Sequence, residues 1–102
     1  MQKKYIFNHS IKELHKDVLA KVTGKTPING KEKILAYLKR FPECAFTSAP
    51  VKDAFTGKIV YDANNARTDG VFQWSESEIY HFEKYNLKLN NDFIEYVLNC
   101  LT

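Results

Sequence analysis

The chain has 102 residues, 44% of them hydrophobic, with a net charge of +3 and few glycines or prolines. This composition excludes a disordered or low-complexity protein, and the length suits one domain around a single core. No apolar run approaches the length of a bilayer span, and the N-terminus lacks the apolar segment of a secretory signal. We therefore expect one globular domain over residues 1–102, located in the cytoplasm and not associated with a membrane.

Charge is unevenly distributed along the chain. Up to residue 41 there are ten lysines and arginines against three acids, whereas the remainder has five basic residues against nine acids. Such polarity can steer a charged partner to either half. The two cysteines, Cys44 and Cys100, lie far apart among apolar neighbours, so we expect buried small side chains in preference to a disulfide.

Two helices are predicted in the first 41 residues. Ser10 and Glu13 have the spacing of a capping box, and apolar residues then recur at helical spacing, which predicts a first helix over residues 11–23. Asn29 is the expected N-cap of a second helix. Pro42 should terminate it, because the residue before a proline disfavours helical geometry.

The middle of the chain has the signals of short strands. Residues 44–48 are apolar and include an aromatic residue, which predicts a first strand, and residues 49–58 are expected to form a loop. A second extended segment covers residues 59–68. It leads to Asp69-Gly70, a pair that favours a type I′ hairpin turn, and the following residues are rich in β-forming side chains.

Two further helices are predicted in the last third. Ser75 and Glu78 form a capping box for a third helix that ends near Asn86. Asn90 or Asn91 is expected to cap a fourth helix with an apolar stripe. The predicted fold is therefore α+β, with a three-stranded antiparallel sheet and about four helices packed against one face, because each element has one apolar side to cover.

Known motifs for catalysis or cofactor binding are absent. Residues 23–26 lack the second glycine of a phosphate loop, and residues 62–65 are not followed by the glycine and glutamate of a calcium loop. His9, His15 and His81 have no zinc-like spacing. We expect no catalytic residue, metal or other cofactor, although a small metal-independent nuclease using His9 or His15 is an open alternative.

Nucleic-acid binding by the basic N-terminal half is a second alternative. Lys12, Lys16, Lys21 and Lys25 follow the predicted first helix, and lysines on one face can contact phosphates. Acidic residues interrupt this face, as is ordinary for the solvated side of an amphipathic helix. Nucleic acid is therefore not the expected partner.

Aromatic residues in the C-terminal half are candidates for core or interface positions. Trp74 lies where the last strand meets the third helix, so we expect it in the core. Tyr80, Tyr85 and Tyr96 remain undecided, because a tyrosine can bury its ring and expose its hydroxyl.

Several segments together resemble a group of small bacterial proteins. Residues 67–74 contain the pattern Thr-Asp-Gly-x-x-x-Trp, residues 79–85 form a tyrosine-flanked helical segment, and residues 87–94 end in Phe-Ile. Residues 33–39 and 53–57 extend the likeness to about two thirds of the chain. The group looks like the immunity proteins of polymorphic and contact-dependent growth inhibition toxin systems.

The resemblance implies a non-enzymatic protein that neutralises a cognate toxin domain by direct contact. No functional residue is carried over from this group. Because many nuclease toxins are basic, an acidic interface would give electrostatic help, and the oligomeric state is left open. We expect the partner-binding residues to be Asp69, Glu76, Glu78 and Glu83.

Overall fold

The computed structural model describes residues 4–7, 11, 14–46 and 49–100, with the side chain of Cys100 excepted. Within these ranges one short strand and two helices are followed by five short strands and two further helices. In chain order the elements are β1 (Lys4–Tyr5), α1 (Lys16–Lys21), α2 (Lys31–Arg40), β2 (Glu43–Ala45), β3 (Val51–Lys52), β4 (Ile59–Tyr61), β5 (Ala66–Thr68), β6 (Phe72–Ser75), α3 (Glu76–Tyr85) and α4 (Asn91–Cys100).

The strands form two sheets in place of the predicted one. A four-stranded sheet has the order β1-β6-β5-β2, and β3 pairs with β4 in a separate antiparallel ribbon. The α+β class is confirmed, but the three-stranded antiparallel sheet is wrong, because β1 joins β6 in parallel. The extended segment predicted over residues 59–68, with an irregularity at Asn64-Asn65, divides into two strands that belong to different sheets. Its first part, β4, pairs with β3, which lies inside the predicted loop.

The hairpin between β5 and β6 turns at Asp69-Gly70 but is not type I′. Gly70 has φ +96°, whereas Asp69 is not among the described residues with positive φ. The Asp69 side chain organises the turn, because its Oδ1 accepts hydrogen bonds from the amides of Val71 (2.9 Å) and Phe72 (2.7 Å). Aspartate commonly stabilises turns in this way, which removes the need for left-handed geometry at its own position.

The helix boundaries agree best with the sequence where side chains cap them. The capping box of Ser75 and Glu78 is confirmed, and Asn86 ends α3 in the left-handed conformation with φ +57°. The first helix is shorter than predicted, and Ser10 and Glu13 lie outside the described residues. The N-cap of α2 is the residue after Asn29.

That N-cap, Gly30, meets two requirements that only glycine satisfies easily. Its φ is +82°, and a Cβ built on it would lie 3.0 Å from Leu98 Cδ2 on α4. A side chain there would therefore strain the backbone and force the Leu98 side chain of α4 to shift by a few tenths of an ångström. Packing between these two helices displaces the cap by one residue from the position that local sequence indicates.

The core lies between the four-stranded sheet and the helices. Trp74 is buried as predicted, and its Nε1 donates a 3.0 Å hydrogen bond to the Leu38 carbonyl of α2. Cys44 is exposed with a free thiol, so the expectation of a buried cysteine is wrong at this position. In the described chain no helix is both long enough and apolar enough to cross a bilayer. The largest fully buried residues include Trp74, Phe82, Phe93, Ile6, Leu19, Ile34 and Leu38.

Candidate protein-binding surface

Two of the four predicted interface acids are held in internal interactions at the start of α3. Glu76 Oε1 accepts a 2.9 Å hydrogen bond from Arg67 Nε, and both side chains are largely buried. Arg67 also donates to the Phe41 carbonyl at 2.6 Å. Glu78 accepts a 3.0 Å hydrogen bond from the Ser75 amide, and burial raises the pKa of Glu78 to about 7. Both acids therefore stabilise the junction between β6 and α3.

The other two predicted acids also have partners within the chain. Asp69 Oδ2 accepts a 2.5 Å hydrogen bond from the Tyr37 hydroxyl, in addition to its contacts within the turn. Glu83 forms an exposed ion pair with Lys39 at 3.1 Å. The structure thus spreads the four acids over the hairpin turn and α3 without making a common cluster of free carboxylates among them. Their role in partner binding stays a prediction.

The histidines are not brought together in the described structure. His15 caps α1, where its Nδ1 accepts from the Asp17 amide, and His9 lies outside the described residues. His81 is buried, with Nδ1 2.7 Å from the Ser77 carbonyl and Nε2 accepting from the Ala54 amide at 3.0 Å. No group of three His, Cys, Asp or Glu residues within the described ranges has a geometry that holds a metal ion.

The contacts of His81 define its protonation state. The Ser77 carbonyl can only accept a hydrogen bond, so Nδ1 carries a hydrogen. The Ala54 backbone N–H can only donate, so Nε2 is unprotonated and accepts. His81 is therefore neutral in this arrangement. Burial lowers the pKa of His81, although the Ser77 carbonyl and the charge of Asp53 act in the opposite direction. The imidazole connects α3 to the segment after β3.

A buried carboxylate next to this histidine was not identified from the sequence as a site. Asp53 is 1% exposed and accepts four hydrogen bonds. Its Oδ2 accepts from the hydroxyls of Tyr80 (2.6 Å) and Tyr85 (2.5 Å), and its Oδ1 accepts from the amides of Phe55 (2.8 Å) and Thr56 (3.1 Å). Each oxygen of the carboxylate thus has two donors, and the side chain joins one turn to one helix.

The hydrogen bonds decide the charge of this group. Burial by itself raises the pKa of Asp53, but the two phenols and two amides outweigh it and hold the pKa well below its usual value. Burial and the bond to Asp53 raise the pKa of Tyr80 to about 12, and the same bond with burial raises the pKa of Tyr85 to about 12. At neutral pH the cluster therefore holds one carboxylate and two neutral phenols. We call Asp53, Tyr80, His81 and Tyr85 the clasp.

The clasp fixes an eleven-residue segment that we call the arm, residues 51–61, which contains β3, a turn and β4. Within the turn, the Gly57 amide donates to the Asp53 carbonyl at 2.7 Å, and Gly57 has φ +75°. The turn lies within residues 49–58, which were predicted to form a loop. The hydrogen bonds between the arm and α3 are made by the Asp53 side chain and the Ala54 amide, so the arm is attached to the helix at the start of the turn.

Above the clasp lies a continuous aromatic surface. The ring centroids of Phe55 and Tyr85 are 4.4 Å apart, those of Tyr85 and Tyr80 are 6.4 Å apart, and those of Tyr80 and Tyr61 are 6.0 Å apart. Lys84 Nζ lies over the rings of both Tyr80 and Tyr85, and 3.7 Å from Asp53 Oδ2. We call this the arm surface: Phe55, Ile59 and Tyr61 of the arm with Tyr80, Lys84 and Tyr85 of α3.

Three large hydrophobic residues of the arm are exposed to solvent. Ile59 is 60% exposed, Phe55 43% and Tyr61 42%. Single exposed hydrophobic residues are normal, but several of them on one ordered element are typical of interaction sites. The sequence did contain a usable signal. Asp53 and Gly57 have the spacing of a side-chain-capped turn, and the segment was noted in the resemblance, but only the fold brings it to the tyrosines of α3.

Comparisons with known proteins add no relative to this description. No family model matches the chain, and no curated protein or solved structure shows significant similarity to it.

Proposed function

We propose that this chain is a non-enzymatic binding protein that neutralises a cognate bacterial toxin domain by direct contact through the arm surface. The observation that carries the proposal is the exposure of Phe55, Ile59 and Tyr61 on an arm that is fixed in place from below. The toxin as partner follows from the resemblance of the hairpin and third-helix segments to immunity-like proteins.

The arm surface has the energetic properties of an interface centre. Full burial of a large hydrophobic side chain contributes roughly 1.5–3 kcal/mol, and these three side chains have about half of that gain still available. Aromatic residues are enriched among the positions that dominate binding energy. The clasp holds the arm in one conformation before binding. Binding therefore does not include the entropic cost of ordering the arm.

The polar groups beneath this surface support a binding role in preference to catalysis. The carboxylate, the imidazole and both phenols of the clasp are engaged with one another or with backbone groups. In the part of the chain that the structure describes, every fully buried side-chain nitrogen or oxygen has a hydrogen-bond partner. The hydrogen bonds of the clasp therefore serve to anchor the arm to α3.

Neutralisation is tested by co-expression with a candidate toxin domain, which is to be sought as a short variable C-terminal domain in the product of an upstream gene. We expect the wild-type chain to restore growth of a bacterial host and to co-purify with that domain. Ile59→Asp and Tyr61→Ala should each lose rescue and weaken binding by at least about tenfold, since each removes an apolar contact from the centre. Phe46→Ala is the matched control, because Phe46 is 75% exposed but lies beyond β2 and outside the arm.

Two outcomes would contradict this proposal. One is full rescue by both arm variants at wild-type protein levels. The other is RNA-cleaving activity of the purified chain that is abolished by His9→Ala or His15→Ala, which would favour the nuclease alternative. Rescue that survives both histidine substitutions while arm variants fail is the result we expect.

A further inference from the structure

We propose that the arm surface binds an acidic segment of the partner protein. The sequence predicted an acidic surface on this chain and a basic partner, so the charges of the two sides would be reversed. This inference rests on the proposed function in taking the arm surface as a protein-binding site. It goes further by assigning the chemistry of the occupant: carboxylates around one or more apolar side chains.

The first observation is that the acids near the arm interact with groups inside the molecule. Asp53 is buried under the tyrosines, Glu78 caps α3, and Glu76 pairs with Arg67. Asp53 lies 3.7 Å from the ammonium of Lys84, Glu76 pairs with Arg67, and burial raises the pKa of Glu78 to about 7, so these three acids add little negative charge outside the molecule. These three acids of the C-terminal half are therefore not presented as free carboxylates at this surface.

The second observation is the set of lysines around the arm surface. Lys52 is exposed and pairs directly across the ribbon with Ile59, and Lys58 is exposed and precedes Ile59 in the chain. Lys84 Nζ lies over the rings of Tyr80 and Tyr85 and offsets the charge of Asp53, so among the described residues the unpaired positive charge of the rim comes from Lys52 and Lys58. Asp62 is the exposed acid adjoining β4. An apolar centre with a rim of like charges matches a partner surface of the opposite charge.

The geometry of the rings favours a protein over a single-stranded nucleic acid. Bases bind such proteins by stacking on open ring faces. Here Tyr61 and Tyr80 meet edge to face at 87°, and Lys84 Nζ lies 5.7 Å and 5.6 Å from the ring centres of Tyr80 and Tyr85. The ring faces that a base would use are thus partly covered, while the aliphatic side chain of Ile59 offers apolar contact without stacking.

The inference is tested with a phage-displayed library of random twelve-residue peptides selected against the immobilised full-length chain. We expect the enriched peptides to combine at least two Asp or Glu with an aromatic or aliphatic residue. Synthetic versions of the enriched peptides should bind the Lys52→Glu/Lys58→Glu variant about tenfold or more weakly, since attraction is lost and repulsion gained at two sites.

A matched variant controls for the overall change in charge. Lys16→Glu/Lys21→Glu alters net charge equally at two exposed positions of α1, and we expect less than a twofold change in peptide affinity. Ile59→Asp should abolish peptide binding without changing the circular dichroism spectrum. If both charge variants weaken binding equally, attraction is general and the assignment to the arm surface is wrong.

Other outcomes also overturn the inference. Enrichment of basic peptides, or no enrichment, contradicts an acidic occupant. Binding of a twenty-nucleotide poly(U) RNA that is lost in Lys52→Glu/Lys58→Glu and Tyr61→Ala would assign the surface to nucleic acid. Because the selection uses no toxin, its failure is separable from failure of neutralisation: a toxin neutralised through the arm by a basic surface would retain the proposed function and refute only the charge assignment.

Discussion

Asp53→Asn removes one negative charge from the clasp and leaves the shape of the side chain unchanged. The asparagine oxygen can still accept from the amides of Phe55 and Thr56. Its NH2 group replaces Oδ2, where the hydroxyls of Tyr80 and Tyr85 now donate at 2.6 Å and 2.5 Å. Both phenols must then rotate their hydrogens away, so two charge-assisted hydrogen bonds are exchanged for weaker neutral contacts.

The magnitude follows from the difference between the two kinds of hydrogen bond. Bonds to a charged group contribute about 1.5–3 kcal/mol each and neutral ones about 0.5–1.5 kcal/mol, so two exchanges reduce the free energy of unfolding by roughly 2–3 kcal/mol. Lys84 adds only a few tenths, because its ammonium is well exposed. For a domain of this size, the expected fall in Tm is roughly 10–20 °C.

Urea unfolding followed by the fluorescence of Trp74 measures this change, because the indole is buried in the native state. Asp62→Asn is the matched control: it makes the same chemical change at an exposed position next to the arm and should alter stability by less than about 0.5 kcal/mol. In a Tyr80→Phe/Tyr85→Phe background, Asp53→Asn should have a much smaller effect than in wild type, since the bonds to be lost are already absent.

The pH dependence of stability is a second test of the role of Asp53. A carboxylate whose pKa is lower in the folded state stabilises the protein above its unfolded pKa near 4, and this stability is lost as pH falls through the lowered value. The difference between wild type and Asp53→Asn should therefore be constant from pH 5 to 7 and shrink below pH 4. An Asp53→Asn variant within 0.5 kcal/mol of wild type at pH 7 would refute the clasp as the anchor of the arm.

Four further perturbations test the residues that organise the rest of the molecule. Burial raises the pKa of Glu78 to about 7 from 4.5, so its stabilisation is complete below pH 4.5 and lost as pH rises through 7. Relative to Glu78→Gln, wild-type stability should fall by about 3 kcal/mol between pH 4 and 8, and parallel pH profiles would contradict this. Burial lowers the pKa of His81, so an NMR titration of its imidazole should have a midpoint below 6.5, and a midpoint above it would disprove the neutral tautomer. Arg67→Met should reduce the free energy of unfolding by about 2–4 kcal/mol in urea titrations, because it leaves carboxylates partly buried without their cation; an unchanged midpoint is the opposing result. Gly30→Ala should cost about 1–2 kcal/mol because of its positive φ and its contact with α4, whereas Gly24→Ala, with open space around it, should stay within about 0.5 kcal/mol of wild type; equal thermal shifts would show that the close approach is not limiting.

Local signals in the sequence predicted the features that depend on neighbouring residues. The capping box of Ser75 and Glu78 marks the start of α3, Asn86 marks its end, and the reversal at Asp69-Gly70 lies where the pair indicates. Each rests on contacts between residues no more than five apart, which a short window of sequence contains. The core position of Trp74 followed from the same local pattern.

The site was less accessible to sequence reasoning because its contacts are distant in the chain. Asp53 meets Tyr80 and Tyr85 across 27 and 32 residues, and Tyr37 meets Asp69 across 32. Nothing in the spacing of these residues distinguishes a buried acceptor from a solvated loop carboxylate. The sequence likewise predicts Glu76 and Glu78 as partner-binding residues, because their internal partners are seen only in the folded structure.

The amino-acid sequence alone determined the α+β class, the ends of α3 and the buried tryptophan, since these depend on propensity, capping and hydrophobic periodicity. Tertiary structure alone decided that residues 59–68 divide between two sheets, that β1 lies parallel to β6, and that a buried aspartate holds the exposed arm. The physical reason is that strand pairing and charge compensation are satisfied between distant segments, and many pairings are compatible with the same local pattern until packing selects one.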